Sequence, residues 1–135
     1  KEKNHRLMLN FGHTFAHAIE SSLDTNLKNK KEILRHGEAV GLGLLCEIYY
    51  QNGKNKIFHQ VKDLLNLYSL PTNLIFLKIN KNFLKKEIFK FIFFDKKKIG
   101  KFPRYISLKK IGYPKISELK NNQKIKKTIE NVLFN

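Results

Sequence analysis

Apolar residues recur every three or four positions along most of this sequence. Such spacing predicts amphipathic helices, because it places the apolar side chains on one face. Pro71 and the pair Asn52-Gly53 are typical helix-ending residues and close two of these stretches. The predicted helices cover residues 12 to about 21, 36 to about 51, 58–70, 82–94 and 123–134.

A short strand is predicted in the last third of the chain. Polar and apolar residues alternate from Arg104 to Leu108, and a period of two favours a half-buried β-strand. We expect its partner to follow Gly112. Residues 21–35 are polar and rich in Lys and Asn, so we expect them to form a loop. The predicted fold class is mainly α, in one domain, with a short β-hairpin near residues 103–117.

The chain is strongly basic, with a net charge of +16. Clustered cations can bind nucleic acid, but Lys outnumbers Arg by 24 to 3, and proteins that read bases or phosphates usually rely on the forked hydrogen bonds of Arg. We therefore expect no specific nucleic-acid partner. No apolar stretch has the roughly 18 residues of a membrane span, and the single Cys46, with its apolar neighbours, predicts a buried thiol. These features favour a cytoplasmic protein with no membrane partner.

Three of the five histidines, His13, His17 and His36, gather near the start of the chain. On a helix, His13 and His17 share one face because they are four residues apart. His36 falls at the N-terminus of the next predicted helix. Catalytic zinc commonly takes three His, Glu or Asp ligands and keeps one position open, so this group offers two or three candidates. Spacing alone leaves open an ordinary helix surface or a pair of core histidines.

The sequence around these histidines resembles the signature of the 3-dehydroquinate synthase family. Residues 9–20 read LNFGHTFAHAIE and residues 36–40 read HGEAV, where the family has L-N-x-G-H-T-x-G-H-A-x-E followed by H-G-E-A-V-x-x-G-M. Residues 95–97, DKK, and the pair Ile111-Gly112 resemble two further landmarks in the same order. The chain departs from the pattern at Ala16, where Gly is usual, at Leu44, where Met is common, and in a longer segment between Glu20 and His36.

The resemblance implies conversion of 3-deoxy-arabino-heptulosonate 7-phosphate to 3-dehydroquinate and phosphate, in the shikimate pathway of aromatic amino-acid and chorismate biosynthesis. It implies a lyase that uses NAD and a divalent metal, zinc or cobalt, and that forms a homodimer. In this family an NAD-binding domain precedes a helical metal- and substrate-binding domain. We therefore expect residues 1–135 to be a partial C-terminal domain that lacks the NAD-binding domain and is inactive by itself.

The same resemblance assigns the metal ligands and the proton-transfer residues. His13 and His36 match two ligands, and the third family ligand, a glutamate, belongs upstream of residue 1. His17 matches a histidine that moves protons and contacts the leaving group, and Glu2 matches an acidic residue that assists proton transfer. Glu38 is expected to orient a metal ligand from outside the coordination sphere.

The resemblance also assigns the residues that bind the substrate. Arg6 and Asn10 match residues that bind an anionic, hydroxyl-rich substrate, for which guanidinium and amide groups are suited. One lysine of the 95–97 segment is expected to bind the substrate's phosphate or carboxylate, and we favour Lys97 over Lys96. The helix dipole also favours lysines at a helix C-terminus, so their position is explained without a ligand as well.

Three other functions are compatible with the sequence. A related sugar-phosphate cyclase would share the motifs and differ in its substrate. A metal-dependent dehydrogenase of the glycerol dehydrogenase type would share the architecture and accumulate NADH. A remnant without enzymatic activity would use its basic surface to bind polyanions, with strong salt dependence.

Overall fold

The fold is mainly helical, as the sequence predicts. The computed structural model describes residues 12–26, 33–94, 102–108 and 114–135. Its elements in chain order are α1 (His13–Asn26), α2 (His36–Asn52), α3 (Lys56–Leu67), α4 (Lys81–Phe93), β1 (Arg104–Leu108), β2 (Pro114–Glu118) and α5 (Asn122–Thr128), which continues as a π-helical segment (Ile129–Leu133).

The predicted hairpin is confirmed. β1 pairs with β2 in antiparallel register, with Ile106 opposite Ile116 and Arg104 opposite Glu118. Tyr105 and Ile106 are buried, whereas Ile116 is largely exposed. The hairpin therefore turns its first strand toward the helices.

Two helix boundaries differ from the sequence prediction by three residues or more. α1 continues to Asn26, although residues 21–26 were expected to begin a loop, because Ser22 and Leu23 pack into the interior and the Ser22 hydroxyl donates to the carbonyl of Ala18 at 2.6 Å. Residues 27–32 of that predicted loop lie outside the described residues. α3 ends at Leu67, before the predicted limit at residue 70.

Asparagine caps fix the N-termini of three helices. The side-chain oxygens of Asn55, Asn80 and Asn121 accept hydrogen bonds from the backbone N–H three residues later, at 2.9, 2.9 and 3.0 Å. Each bond satisfies a donor that the first helical turn leaves unpaired. The polar residues between the apolar stretches therefore set where α3, α4 and α5 begin.

The buried apolar residues of the described ranges form one core between the helices, and α2 is at its centre. α1 packs against α2 and α4, and α2 also contacts α3, β1 and the C-terminal segment. On α2, Ile48 is buried, whereas Val40 and Leu44 are half-buried. Cys46 is fully buried, as predicted. The side chains with no exposed surface in the core include Phe15, Ile19, Leu42, Leu45, Leu84, Ile88, Ile125 and Leu133.

Along the described parts of the chain, none of the helices combines the length and the apolar character needed to cross a membrane.

Candidate functional site

The site is built on a close crossing between the start of α1 and the middle of α2. Gly12 precedes α1 in the left-handed region, with φ of +81°, a conformation that favours glycine. A Cβ atom added to Gly12 would lie 2.8 Å from the amide nitrogen of Leu44 and from the carbonyl oxygen of Val40. A Cβ atom on Gly43 would overlap the carbonyl oxygen of Gly12. The two helices therefore meet backbone to backbone.

Of the glycines of α2, Gly43 makes a close backbone approach and Gly37 does not. A Cβ atom on Gly37 would meet no described atom within 4 Å, whereas one on Gly41 would touch the flexible side chain of Leu65 at 3.0 Å. Only the Gly43 position brings two backbones together among these three. This crossing sets the distance between the first residue of α1 and the first residue of α2.

Three histidines converge beside this crossing. The ring centroids of His13 and His17 are 5.7 Å apart on α1, as their spacing on one helix predicts. The ring of His36, the first residue of α2, lies 5.8 Å from that of His13. His13 is half-buried, while His17 and His36 are exposed. The tertiary structure thus joins the two parts of the motif that the sequence separates.

A carboxylate contacts one of the two exposed histidines. Oε2 of Glu20 lies 2.9 Å from Nδ1 of His36. Glu38, which the sequence suggested for this role, has a different partner: its Oε1 accepts a hydrogen bond from the backbone N–H of Arg35 at 2.7 Å. Glu38 therefore stabilises the N-terminus of α2, and the carboxylate in contact with His36 is that of Glu20.

His13 and His36 fit part of a zinc site. Two imidazoles on one tetrahedral zinc, with Zn–N bonds of about 2 Å, have ring centroids roughly 5 Å apart, close to the observed separation of His13 and His36. Nδ1 of His13 is buried and has no hydrogen-bond partner in the described part of the chain. Within that part, no group of three or more His, Cys, Asp or Glu side chains is arranged to hold a metal. The described residues therefore offer no more than two ligands for one metal, and His13 and His36 are the candidates.

Glu47 ties the β-hairpin to the helix crossing. Its side chain is 1% exposed, and its Oε1 accepts a hydrogen bond from the backbone N–H of Ile106 at 2.7 Å. Burial raises the pKa of the Glu47 carboxyl to about 8, while hydrogen bonding from the backbone amides of Ile106 and Gly12 acts to lower it. Oε2 has no partner among the described residues. The hydroxyl of Thr14 also donates to the carbonyl of Arg104, so α1 and α2 both hold β1.

Comparison with known proteins identifies the family. The model of the family described as 3-dehydroquinate synthase C-terminal matches residues 1–98. That match covers the histidine motif and α1 to α4. The chain belongs to the 3-dehydroquinate synthase family.

Individual 3-dehydroquinate synthases show the same relationship. The chain is 37% identical over 115 residues to the one from Chlorobaculum parvum, which covers 80% of this chain and 29% of that protein. It is 35% identical over 116 residues to the one from Clostridium botulinum, covering 83% and 30%. With the one from Ruminiclostridium cellulolyticum, identity is 31% over 133 residues, covering 96% and 33%. The chain therefore spans about a third of the length of these relatives.

Several residues that the 3-dehydroquinate synthase resemblance assigns fall outside the described residues. These are Glu2, Arg6, Asn10, Lys96 and Lys97. All five lie within the part of the chain that the family model matches. Their roles stay predictions, and the structure brings together the three assigned histidines, His13, His17 and His36.

Sequence reasoning did not single out Glu20 and Glu47. A signal existed for Glu20, because it lies seven residues after His13 and three after His17, which places all three on one face of α1. Glu47 is a charged residue inside the apolar run from Leu44 to Ile48. That position indicates a buried carboxyl but not its contact with a strand almost 60 residues away along the chain.

Proposed function

We propose that residues 1–135 form the metal- and substrate-binding part of a 3-dehydroquinate synthase. The reaction is the conversion of 3-deoxy-arabino-heptulosonate 7-phosphate to 3-dehydroquinate and phosphate. The observation that carries this proposal is the convergence of His13, His17 and His36 at the α1–α2 crossing in a chain of this family. The chain spans about a third of its relatives' length, so the NAD-binding part is proposed to lie outside these residues.

His13 and His36 would hold the metal, zinc or cobalt, through ring nitrogens. The separation of their rings and the unpartnered, buried Nδ1 of His13 support this assignment. A glutamate from outside residues 1–135 would complete the set of three protein ligands, leaving one position for substrate. When bound, the metal would supply Lewis acidity at the substrate hydroxyls, and NAD would supply reversible hydride-transfer chemistry.

The chain's own polar residues would bind the substrate and move protons. Arg6 and Lys97 would bind its anionic groups, and Asn10 its hydroxyls. His17 is exposed on the same face of α1 as His13, a position suited to proton transfer next to the departing phosphate. Glu2 would assist that proton transfer.

The charge of the chain supports an anionic substrate. A net charge of +16 attracts a sugar phosphate carrying a carboxylate, and raises its local concentration at the protein surface. The homodimer of the family is part of the proposal, and a second copy of the whole enzyme is the partner we expect.

The test is phosphate release from 3-deoxy-arabino-heptulosonate 7-phosphate by the full-length protein that contains residues 1–135, with NAD and zinc. We expect release that stops when a chelator is added and that falls by at least about 100-fold in His13→Ala, since loss of a metal ligand removes the Lewis acid. His59→Ala is the matched control, because His59 is exposed on α3 and lies outside the histidine cluster.

Other outcomes would contradict the proposal in distinct ways. Release of phosphate only from a different heptulose phosphate would indicate a related cyclase. Net accumulation of NADH would indicate a dehydrogenase, because the synthase reoxidises its cofactor within each turnover. A folded protein that binds no zinc but binds polyanions in a salt-dependent way would indicate a non-enzymatic remnant.

A further inference from the structure

The contact between Glu20 and His36 joins two helices across 16 residues of sequence. Oε2 of Glu20 and Nδ1 of His36 are 2.9 Å apart, a normal hydrogen-bond distance. The Glu20 side chain is 31% exposed and that of His36 is 61% exposed, so the contact forms at the rim of the histidine cluster. The backbone crossing of Gly12 and Gly43 holds α1 and α2 together beside it.

The hydrogen bond between Glu20 and His36 determines which ring nitrogen of His36 carries the proton when the ring is neutral. An ionised carboxylate can only accept, and a neutral imidazole has one N–H donor and one lone-pair nitrogen. When His36 is neutral, a hydrogen bond to Glu20 therefore requires the proton on Nδ1. The lone pair then belongs to Nε2, which is the nitrogen left for a cation or a substrate proton.

We propose that Glu20 is a positioning residue that holds the His36 ring in the Nδ1–H tautomer and leaves Nε2 free to bind. The contact between Glu20 and His36 does not depend on the proposed function. Its effect on metal binding rests on that function, in which His36 is a metal ligand. A carboxylate that accepts the second N–H of a metal-bound histidine fixes the ring and increases its basicity. Glu20 would act through His36 and would not touch the metal.

Glu38 provides the matched comparison. It carries the same carboxylate two residues after His36 on the same helix, but its Oε1 accepts from the backbone N–H of Arg35. Glutamine can also fill that capping position. Glu38→Gln therefore removes a negative charge next to His36 while keeping the start of α2. If the loss of any nearby negative charge changed the tautomer or the zinc affinity of His36, Glu38→Gln would change it as much as a Glu20 variant does.

The first measurement is the tautomer of His36 in the metal-free, full-length protein, read from the nitrogen NMR shifts of selectively labelled histidines under conditions where His36 is neutral. The wild-type protein should show the Nδ1–H form. Glu20→Ala, which removes the acceptor, should shift the population toward Nε2–H, and Glu38→Gln should match the wild type. A wild-type ring in the Nε2–H form, or an equal shift in Glu38→Gln, would overturn the proposal.

The second measurement is the affinity for zinc, by competition with a chelating dye. Glu20→Gln and Glu20→Ala should bind zinc about 10- to 100-fold more weakly, as expected when the carboxylate partner of a ligand histidine is removed. Glu38→Gln should change affinity by less than about threefold. Weakening in Glu38→Gln alone would overturn the role of Glu20.

Different results would contradict the proposed function and the proposed role of Glu20. A wild-type protein that binds no zinc would contradict the proposed metal site, while the tautomer of the metal-free protein would still decide whether Glu20 orients His36. A protein that binds zinc and releases phosphate, but in which Glu20→Ala leaves the tautomer unchanged, would keep the proposed function and reject Glu20 as its positioning residue.

Discussion

The carbonyl oxygen of Gly12 occupies the space that a side chain on Gly43 would need. Because His13 directly follows Gly12, this contact fixes where the histidine face of α1 lies on α2. The amide of Ala16 is also close to that space, at 2.9 Å from the position of a Gly43 Cβ atom, and donates to the Gly12 carbonyl at 3.0 Å. The geometry of the site therefore depends on two residues without side chains, Gly12 and Gly43.

We expect Gly43→Ala to destabilise the protein by about 1–3 kcal/mol, the usual cost of forcing extra atoms into a packed interior. The obstacle is backbone on both sides, so no side chain can rotate out of the way. The new methyl group should push α1 away from α2 and weaken zinc binding as well. Urea unfolding and zinc titration of the full-length variant measure the two effects.

Gly37→Ala is the control for that substitution. It lies on the same helix, and an added Cβ atom meets nothing within 4 Å among the described residues. Alanine is favoured over glycine in a helix by about 1 kcal/mol, so this variant should be as stable as the wild type or slightly more so. Equal destabilisation by both substitutions would show that the backbone crossing is unimportant.

Glu47 should make stability depend on pH. Its pKa is raised from 4.5 to about 8 in the folded protein, so the folded state holds this proton at pH values where the unfolded state has lost it. Its contribution to stability is thus fully present below about pH 4.5 and is lost as the pH rises through about 8, at no more than about 1.4 kcal/mol per pH unit.

Glu47→Gln isolates that contribution, because glutamine resembles the protonated acid and cannot ionise. The free energy of unfolding of the wild type relative to this variant should fall by about 2 kcal/mol or more between pH 5 and pH 8. Chemical denaturation at several pH values gives the difference. Parallel curves for the two proteins would mean that the carboxyl is not held in an apolar environment.

The C-terminal π-helical segment should be part of the core. Leu133 has no exposed surface, and its carbonyl accepts a hydrogen bond from the backbone N–H of Leu74 at 2.7 Å. Leu133→Ala should cost about 2–5 kcal/mol of unfolding free energy, since it leaves a cavity. Leu67, at the end of α3, is 75% exposed, so Leu67→Ala should change stability by less than about 0.5 kcal/mol. Similar losses from both would show that the segment does not pack as described.

Cys46 should be unreactive in the folded protein. It is fully buried, and burial, followed by the nearby charge of Glu47, raises the pKa of its thiol. Both effects reduce the thiolate that attacks alkylating reagents. Because residues 1–135 contain one cysteine, labelling of this chain should become rapid only in denaturant. Rapid labelling of the native chain would contradict the packing of α2.

Much of the fold could be predicted from local pattern. The spacing of Leu84, Ile88, Phe91 and Ile92 predicts the inward face of α4, and all of them except the half-buried Phe91 are buried. The pattern from Arg104 to Leu108 predicts β1 with the bounds that the structure shows. Errors occurred where packing overrides a polar composition, as in residues 21–26. Ser22 is polar but fully buried, because its hydroxyl bonds within its own helix.

The sequence by itself determined that His13 and His17 share a helix face, that His36 begins a helix, and that the chain resembles its family. These properties depend on hydrogen bonds and side-chain directions within a few residues, which spacing reveals. The tertiary structure decided that His36 meets His13, that Glu20 and not Glu38 contacts His36, and that Glu47 is buried against β1. These depend on the backbone contact of Gly12 and Gly43, which joins segments distant in sequence and is set by the packing of whole helices.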